Sequence, residues 1–257
     1  QSRWRPNAEY ILGFVARGGD KPDEAIQHFA FVAGVKEHDL AADARFQQGM
    51  ILMGKKDHKG AEGAFKQLLG DHADFNKKDE ATFSLGQSLE QQERWDEALA
   101  EYGKVGGFQE SGWRDNALYQ SAWCEIGAKR EPKAVEFYGR LLAEFPEGEL
   151  FNLAGWELAE LEFNSGKYAE AAKRLEGALQ KSKDAKEAVL RSRARYRLAW
   201  SYFEQGGHAK AAEIFEGFAK TLPSDAPKDL TELAGTAAYQ AGESRMQMAE
   251  AAAGDAV

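Results

Sequence analysis

The chain is poor in cysteine: Cys124 is the single cysteine among 257 residues. One cysteine cannot form a disulfide within the chain. Cys124 follows Trp123 in an apolar, helix-length segment, and no histidine occurs in that segment or the next. A reactive cysteine needs surroundings that favour the thiolate, such as a neighbouring cation. The sequence therefore predicts a buried structural thiol at Cys124 rather than a nucleophile.

Proline is also scarce, and long apolar runs are absent. Six prolines in the whole chain exclude a proline-rich linker, whereas 26 glycines suit short helices joined by turns. No apolar run approaches the roughly 20 residues that a membrane-spanning helix requires. We therefore expect no insertion into a membrane.

The patterns that usually accompany catalysis or metal binding are missing. None of the five histidines stands four residues from another histidine or from cysteine, so we expect no metal; they are His28, His38, His58, His72 and His208. Gly18-Gly19 and Gly106-Gly107 follow helical segments rather than strands, which is not the context of a phosphate-binding loop. No nucleophile elbow occurs. We expect no cofactor and no enzyme activity.

Positive charge is in deficit. Lysine and arginine number 33 against 42 acidic residues, so the net charge is −9. A negative field repels phosphate, and nucleic-acid binding is not expected. The composition does not decide the compartment, and the bacterial periplasm and cytoplasm both fit. The start at Gln1 and the small-residue tail 251–257 predict a piece of a longer protein.

What the chain does contain is a repeat. A small residue in one helix-length segment is followed twelve residues later by alanine in the next segment, and the pair recurs every 36 to 40 residues. The six pairs are Gly13/Ala25, Gly49/Ala61, Gly86/Ala98, Ala122/Ala134, Ala159/Ala171 and Ala199/Ala211. We call the two segments of each repeat its first and second helix. Four residues after each alanine stands a large side chain, namely Phe29, Phe65, Tyr102, Tyr138, Leu175 or Phe215.

The segment 115–146 shows the pattern most completely. Two apolar, helix-length stretches flank a short turn, Pro132 suits the start of the second helix, and Pro146 stops it. A single helical hairpin cannot bury its apolar faces alone, whereas a row of similar hairpins can. The recurrence therefore predicts a solenoid.

These residues resemble the tetratricopeptide repeat family, whose pattern places an aromatic residue before a small one in the first helix and alanine and an aromatic residue in the second. The resemblance implies an all-α, right-handed superhelical solenoid of antiparallel hairpins. We expect repeats at about 6–39, 42–78, 79–114, 115–151, 152–190 and 192–227, then a C-terminal capping helix and tail at 228–257. The period exceeds the family's 34 residues, as in stretched repeats of bacterial envelope and scaffold proteins.

The longest insertion precedes the sixth repeat. Residues 181–190 are charged but contain no helix breaker after Asp184. This composition predicts that the first helix of the sixth repeat begins early, near Ala185.

The family resemblance also implies which side chains line the concave groove. They stand three residues before and one after the small residue of each first helix. All six residues at the first position, three before the small residue, are aromatic, and they could either pack between hairpins or face the groove. The bulky apolar residues at the second position, one after the small residue, are not needed for folding and therefore indicate a binding surface. The candidates for partner binding are Tyr10, Phe46, Phe83, Tyr119, Trp156 and Tyr196 at the first position, and Phe14, Met50, Trp123 and Trp200 at the second.

Arg193 is a further candidate. It belongs to an alternating basic run and is expected to point inward, opposite Glu160 of the preceding first helix. It could form an ion pair there, or it could hold a carboxylate of a bound peptide.

The sequence thus favours a non-enzymatic scaffold that binds an extended peptide or a partner helix in its groove. The alternative is a structural or assembly module that self-associates, as a homo-oligomer, or packs on a fused domain. The expected partners are proteins or peptides.

Overall fold

A computed structural model describes residues 3–35, 37–182 and 185–254, and within these ranges the chain is helical, with no β-strand. The described helices are α1 (Arg5–Gly18), α2 (Pro22–Ala33), α3 (Ala41–Gly54), α4 (His58–Asp71), α5 (Lys78–Glu90), α6 (Trp95–Val105), α7 (Arg114–Gly127), α8 (Glu131–Glu144), α9 (Phe151–Asn164), α10 (Tyr168–Lys181), α11 (Ala188–Glu204), α12 (His208–Phe218) and α13 (Lys228–Gly254). None of them is long and apolar enough to cross a membrane. The predicted all-α fold class is confirmed.

The chain divides into two compact units, residues 1–134 and 135–257, with the division inside α8. In unit 1, α1 packs on α2, α3 on α4 and α5 on α6, and α7 packs against α6. In unit 2, α9 packs on α10 and α11 on α12, and α13 packs against α12. Each unit is therefore a row of helical hairpins.

The hairpin turns share one geometry. In each turn the backbone N–H just after a left-handed residue reaches back to the carbonyl five residues earlier, as from Lys21 to Ala16 and from Gly207 to Tyr202. This contact satisfies a carbonyl at the end of the first helix. The left-handed residues are Asp20, Lys56, Glu93, Lys129, Gly166 and Gly206. The six turns therefore have equivalent backbone geometry.

Within each hairpin of unit 1, an aromatic ring of the second helix lies directly on the glycine of the first. A Cβ atom added to these glycines would lie 2.6 to 2.8 Å from the ring, closer than real Cβ contacts; the pairs are Gly13 with Phe29, Gly49 with Phe65 and Gly86 with Tyr102. The three rings are fully buried. In unit 2, alanine takes the place of glycine, and Ala199 shares a buried cluster with Phe215. Small residues are therefore needed where the helices cross.

The segment before α11 differs from the sequence-based expectation. α10 ends at Lys181, a 3₁₀ turn follows at Ala185–Glu187, and α11 begins only at Ala188. The Glu187 carboxylate accepts hydrogen bonds from Ser182 Oγ (2.6 Å) and Asn152 Nδ2 (2.9 Å). These bonds fix Glu187 against α9 and the end of α10, so the helix starts one turn later than predicted. Residues 183 and 184 lie outside the described part of the chain.

The glycine–ring contact predicts a size limit at Gly49. Gly49→Ala should lower the free energy of unfolding by about 1–3 kcal/mol, because the buried Phe65 ring has no room to retreat. Gly63→Ala is the matched control, since a Cβ at this exposed position in α4 meets nothing within 4 Å in the part of the chain that the structure describes. It should raise stability by about 0.5–1 kcal/mol, the cost of glycine in a helix. Urea denaturation of both variants measures the difference; equal midpoints would contradict the size limit.

Candidate functional site

In unit 1, the first helices of successive hairpins meet along one side. Arg17 Nη1 on α1 donates a hydrogen bond to Gln47 Oε1 on α3 at 2.7 Å. Met50 Sδ on α3 lies 3.8 Å from Ser84 Oγ on α5. We call the side chains that α1, α3, α5 and α7 present on this side the first-helix surface.

Three large apolar side chains remain exposed on this surface, one residue after the small residue of their helices. Phe14 is 39% exposed, Met50 36% and Trp123 41%. The Phe14 ring packs edge-on against Phe29 of α2, with ring centroids 5.1 Å apart. The ring centroids of Tyr119 and Trp123 lie 6.5 Å apart. These are exposed but positioned apolar groups, the kind that partner surfaces use.

The aromatic residues three positions before the small residue behave differently. Phe46 and Phe83 are buried. Phe46 packs against Phe65, with ring centroids 6.1 Å apart, and Phe83 stacks on Trp113 at 4.8 Å. Of the two expectations for this position, Phe46 and Phe83 follow packing, because they fill the core between helices. Tyr10 is half-buried, and its hydroxyl donates a hydrogen bond to Asp43.

The first-helix surface also contains a polar cleft of about 360 Å³ between α3, α5 and α7, which sequence reasoning missed as a whole. Glutamine occupies three of its positions, and His58 Nδ1 is buried there without a hydrogen bond among the described residues. The residue that could have indicated this cleft from the sequence is Gln120, a polar side chain two residues before the small residue of its helix. The lining consists of Met53, Gly54, Lys56, His58, Gln87, Glu90, Gln91 and Gln120.

Glu90 is the acidic group of this cleft. Burial raises the pKa of its carboxyl group, and a hydrogen bond from the Tyr102 hydroxyl offsets part of this effect. A carboxylate held in partly desolvated surroundings favours a cationic neighbour. The cleft therefore offers hydrogen-bonding amides and one carboxylate to a ligand.

Cys124 lies behind the same surface and is fully buried. Burial raises the pKa of its thiol to about 12, and the nearby Glu90 and Glu125 carboxylates act in the same direction. The thiol therefore stays protonated near neutral pH. The predicted burial of Cys124 is confirmed.

In unit 2, the corresponding aromatic residues are more covered. Trp200 is half-buried and meets Phe203 and Phe215 at centroid distances of 5.6 and 5.7 Å. Tyr196 packs on Phe215 at 5.8 Å and Phe218 at 5.3 Å. Trp156 is half-buried and lines a narrow crevice with Leu190 and Arg191. All three side chains take part in packing as well as facing solvent.

The basic run on α11 is paired differently from the prediction. Arg193 Nη2 lies 2.8 Å from Asp229 on α13, and it is Arg197 whose Nε lies 2.6 Å from Glu160. The expectation that Arg193 faces Glu160 is therefore wrong. One helical turn separates the two arginines, so the sequence identified the basic face but not which residue reaches the preceding helix.

The raised pKa of Glu90 predicts a pH-dependent stability. The folded chain holds the Glu90 proton more tightly than the unfolded chain, so its stabilising contribution is present below its ordinary pKa and is lost as the pH rises through the raised value. Glu90→Gln, which stays neutral, should melt at a higher temperature than the parent at pH 7, and the difference should shrink below pH 4.5. The exposed Glu110→Gln is the control. A difference that does not vary between pH 3 and pH 7 would contradict this assignment.

Several solved structures are similar to this chain in fold. A tetratricopeptide repeat protein from Parabacteroides merdae shares 13% identity over 95% of this chain and 93% of its own, with a TM-score of 0.62. The pilF protein of Pseudomonas aeruginosa shares 14% over 89% of this chain and 95% of its own, with a TM-score of 0.60. MamA of Desulfovibrio magneticus shares 16% identity over 70% of this chain and 98% of its own, with a TM-score of 0.58.

The sequence itself gives the family. No curated protein matches the chain. One model of the tetratricopeptide repeat matches residues 60–105 and 157–226, and a second matches residues 116–148. These segments cover more than half of the chain and contain the small residue, the alanine and the large side chain of the third to the sixth repeat. The chain belongs to the tetratricopeptide repeat family.

Proposed function

We propose that the chain is a protein-interaction scaffold that binds an extended peptide or a partner helix along its first-helix surface. The observation that carries this proposal is the exposure of Phe14, Met50 and Trp123 at one repeat position in unit 1. Tetratricopeptide repeat proteins in general bind protein partners and are not enzymes. Family membership therefore supports the class of function, and the exposed side chains support the surface.

The first-helix surface combines two kinds of contact. Trp123 and Met50 offer apolar area, which contributes most of the affinity at protein interfaces when a partner excludes water from it. Gln87 and Gln120, in the polar cleft, offer amides that can pair with a peptide backbone. Glu90 favours a lysine or arginine side chain of the ligand at that point. A peptide with an apolar residue near a basic one fits this combination.

A second candidate function is assembly through the end of the array. The face of α1 away from α2 carries exposed branched side chains, with Ile11 62% and Val15 63% exposed. The first-helix positions two before and two after the small residue are covered in α3, where Gln47 and Ile51 are buried. An uncovered apolar face of this kind supports packing on a further domain or on another copy.

The first candidate predicts that binding depends on Met50 and Trp123. A random-peptide phage library is panned on the whole chain, and the affinities of the selected peptides are measured by fluorescence anisotropy. Met50→Ala combined with Trp123→Ala should weaken binding at least about 30-fold, because truncating a central apolar contact typically costs about 2 kcal/mol or more.

Ile11→Ala combined with Val15→Ala is the matched control, since it removes comparable exposed apolar area from the outer face of α1. The control should leave peptide affinity unchanged. Selected peptides that bind the Met50/Trp123 variant as tightly as the parent would refute the proposed surface. Loss of self-association in the control variant alone would favour the assembly role.

A further inference from the structure

The C-terminal helix α13 carries the sequence pattern of a first helix, in register with the six repeats. In each repeat, alanine stands five residues before the small residue of the first helix; these alanines are Ala8, Ala44, Ala81, Ala117, Ala154 and Ala194. In α13, Ala237 stands five residues before Gly242, and the aromatic residue three before it is Tyr239. The helix therefore follows the repeat pattern beyond the sixth hairpin.

The inner contacts of α13 agree with this register. Ala237 and Ala241 are buried against α12, in one cluster with Phe215 and Phe218. Ser244, two residues after Gly242, is fully buried and donates to the Gln240 carbonyl at 2.8 Å. Ser201, two residues after the small residue of α11, is also fully buried and donates to the Arg197 carbonyl at 2.9 Å. α13 thus packs on the hairpin before it as a first helix does.

Its outer contacts are missing. In α1, α3 and α5, an aromatic ring of the following second helix lies within 3 Å of where a Cβ of the small residue would stand. Nothing in the described chain lies within 4 Å of that point at Gly242. Tyr239 is 65% exposed, whereas the corresponding Tyr196 of α11 packs on Phe215 and Phe218. The face that a second helix would cover is open.

The uncovered face is apolar, and its flank is acidic. Residues at alternating four- and three-residue spacing are exposed along it, namely Gly235, Tyr239, Gly242, Met246, Ala249 and Ala253. This is the spacing of a helix-packing seam. Glu243 and Glu250 stand beside it and form no ion pair in the part of the chain that the structure describes, whereas Arg245 is already bound to Glu216 at 2.5 Å. A helix that covers this seam would therefore gain from lysine or arginine at its edges.

We propose that the outer face of α13 docks one amphipathic, basic helix of a partner protein, with an aromatic side chain of that helix seated on Gly242. The glycine–ring fit of unit 1 defines the aromatic anchor, and the acidic flank defines the charge. The docked helix takes the place of a seventh second helix and continues the solenoid packing of α12 on α13.

A second copy of the chain fits this face less well. Pairing two α13 faces would bring Glu243 and Glu250 of both copies together, which is unfavourable. The exposed side chains Ile11 and Val15 of α1 are branched aliphatic groups and lack the flat ring that fits against glycine. The alanines of the second helices are already buried in their own hairpins, so these helices are not free to dock elsewhere.

The probe for this site is a fluorescein-labelled synthetic peptide with the sequence 167–181, KYAEAAKRLEGALQK, carrying Leu175→Phe. This segment is an amphipathic second helix with more basic than acidic residues, and the substitution supplies the aromatic anchor. Binding to the whole chain is followed by fluorescence anisotropy. We expect saturable binding with a dissociation constant below about 1 mM.

Two changes should each weaken this binding at least about tenfold. Gly242→Leu in the protein fills the space for the ring. A comparison peptide that carries Leu175→Ala in place of Leu175→Phe lacks the aromatic anchor. Gly63→Leu, at an exposed glycine of α4, is the matched control and should leave binding unchanged. The Gly242→Leu chain should keep its circular dichroism and melting temperature, because a Cβ at this position meets no atom of the described residues within 4 Å. The Met50/Trp123 variant should bind the probe normally, which separates this site from the first-helix surface.

Several outcomes would overturn the proposal. One is the absence of binding at about 1 mM peptide, the upper limit expected for the dissociation constant. The others are binding of the probe by the Gly242→Leu chain as tight as by the parent, and binding of the Leu175→Ala peptide as tight as that of the probe. Self-association of the parent chain in light scattering, abolished by Gly242→Leu, would assign the face to a second copy and would also refute it.

Discussion

Within each of the two units, the structure depends on one contact, the seating of a large side chain of a second helix on a small residue of the first. In unit 1, the rings of Phe29, Phe65 and Tyr102 lie so close to their glycines that not even a methyl group fits. This contact sets how near the two helices approach, and the approach sets which other side chains are buried. The six equivalent turns then repeat the spacing, so that one local fit is propagated along each unit.

Sequence reasoning recovered the fold because this contact leaves a periodic record. Small residue, alanine and aromatic residue recur at fixed offsets, and helix type follows from them. The start of α11 was not recoverable, because it depends on hydrogen bonds from Ser182 and Asn152 to Glu187 that join residues from three segments. A charged stretch without breakers is typical of a helix until such tertiary contacts intervene.

The candidate surface was predicted only in part, for a similar reason. Phe14, Met50 and Trp123 were found because the family resemblance assigns their repeat position to the groove, and all three side chains are exposed. Packing and groove-facing stayed open for Phe46 and Phe83 because their position borders both core and surface, and neighbouring rings such as Trp113 decide which it joins. The choice between Arg193 and Arg197 as partner of Glu160 depends on the rotation of α11, which a sequence does not give.

The hairpin turns also bear on how the chain folds. Three or four residues separate the two helices of each hairpin, and within each unit the helices pack chiefly on their neighbours in sequence. Contacts between residues close in sequence require little loop-closure entropy before they form. Each hairpin can therefore begin to form early, but it becomes stable only when a neighbouring hairpin covers its apolar faces. The order of folding in this chain is thus set by neighbours in sequence rather than by distant pairings.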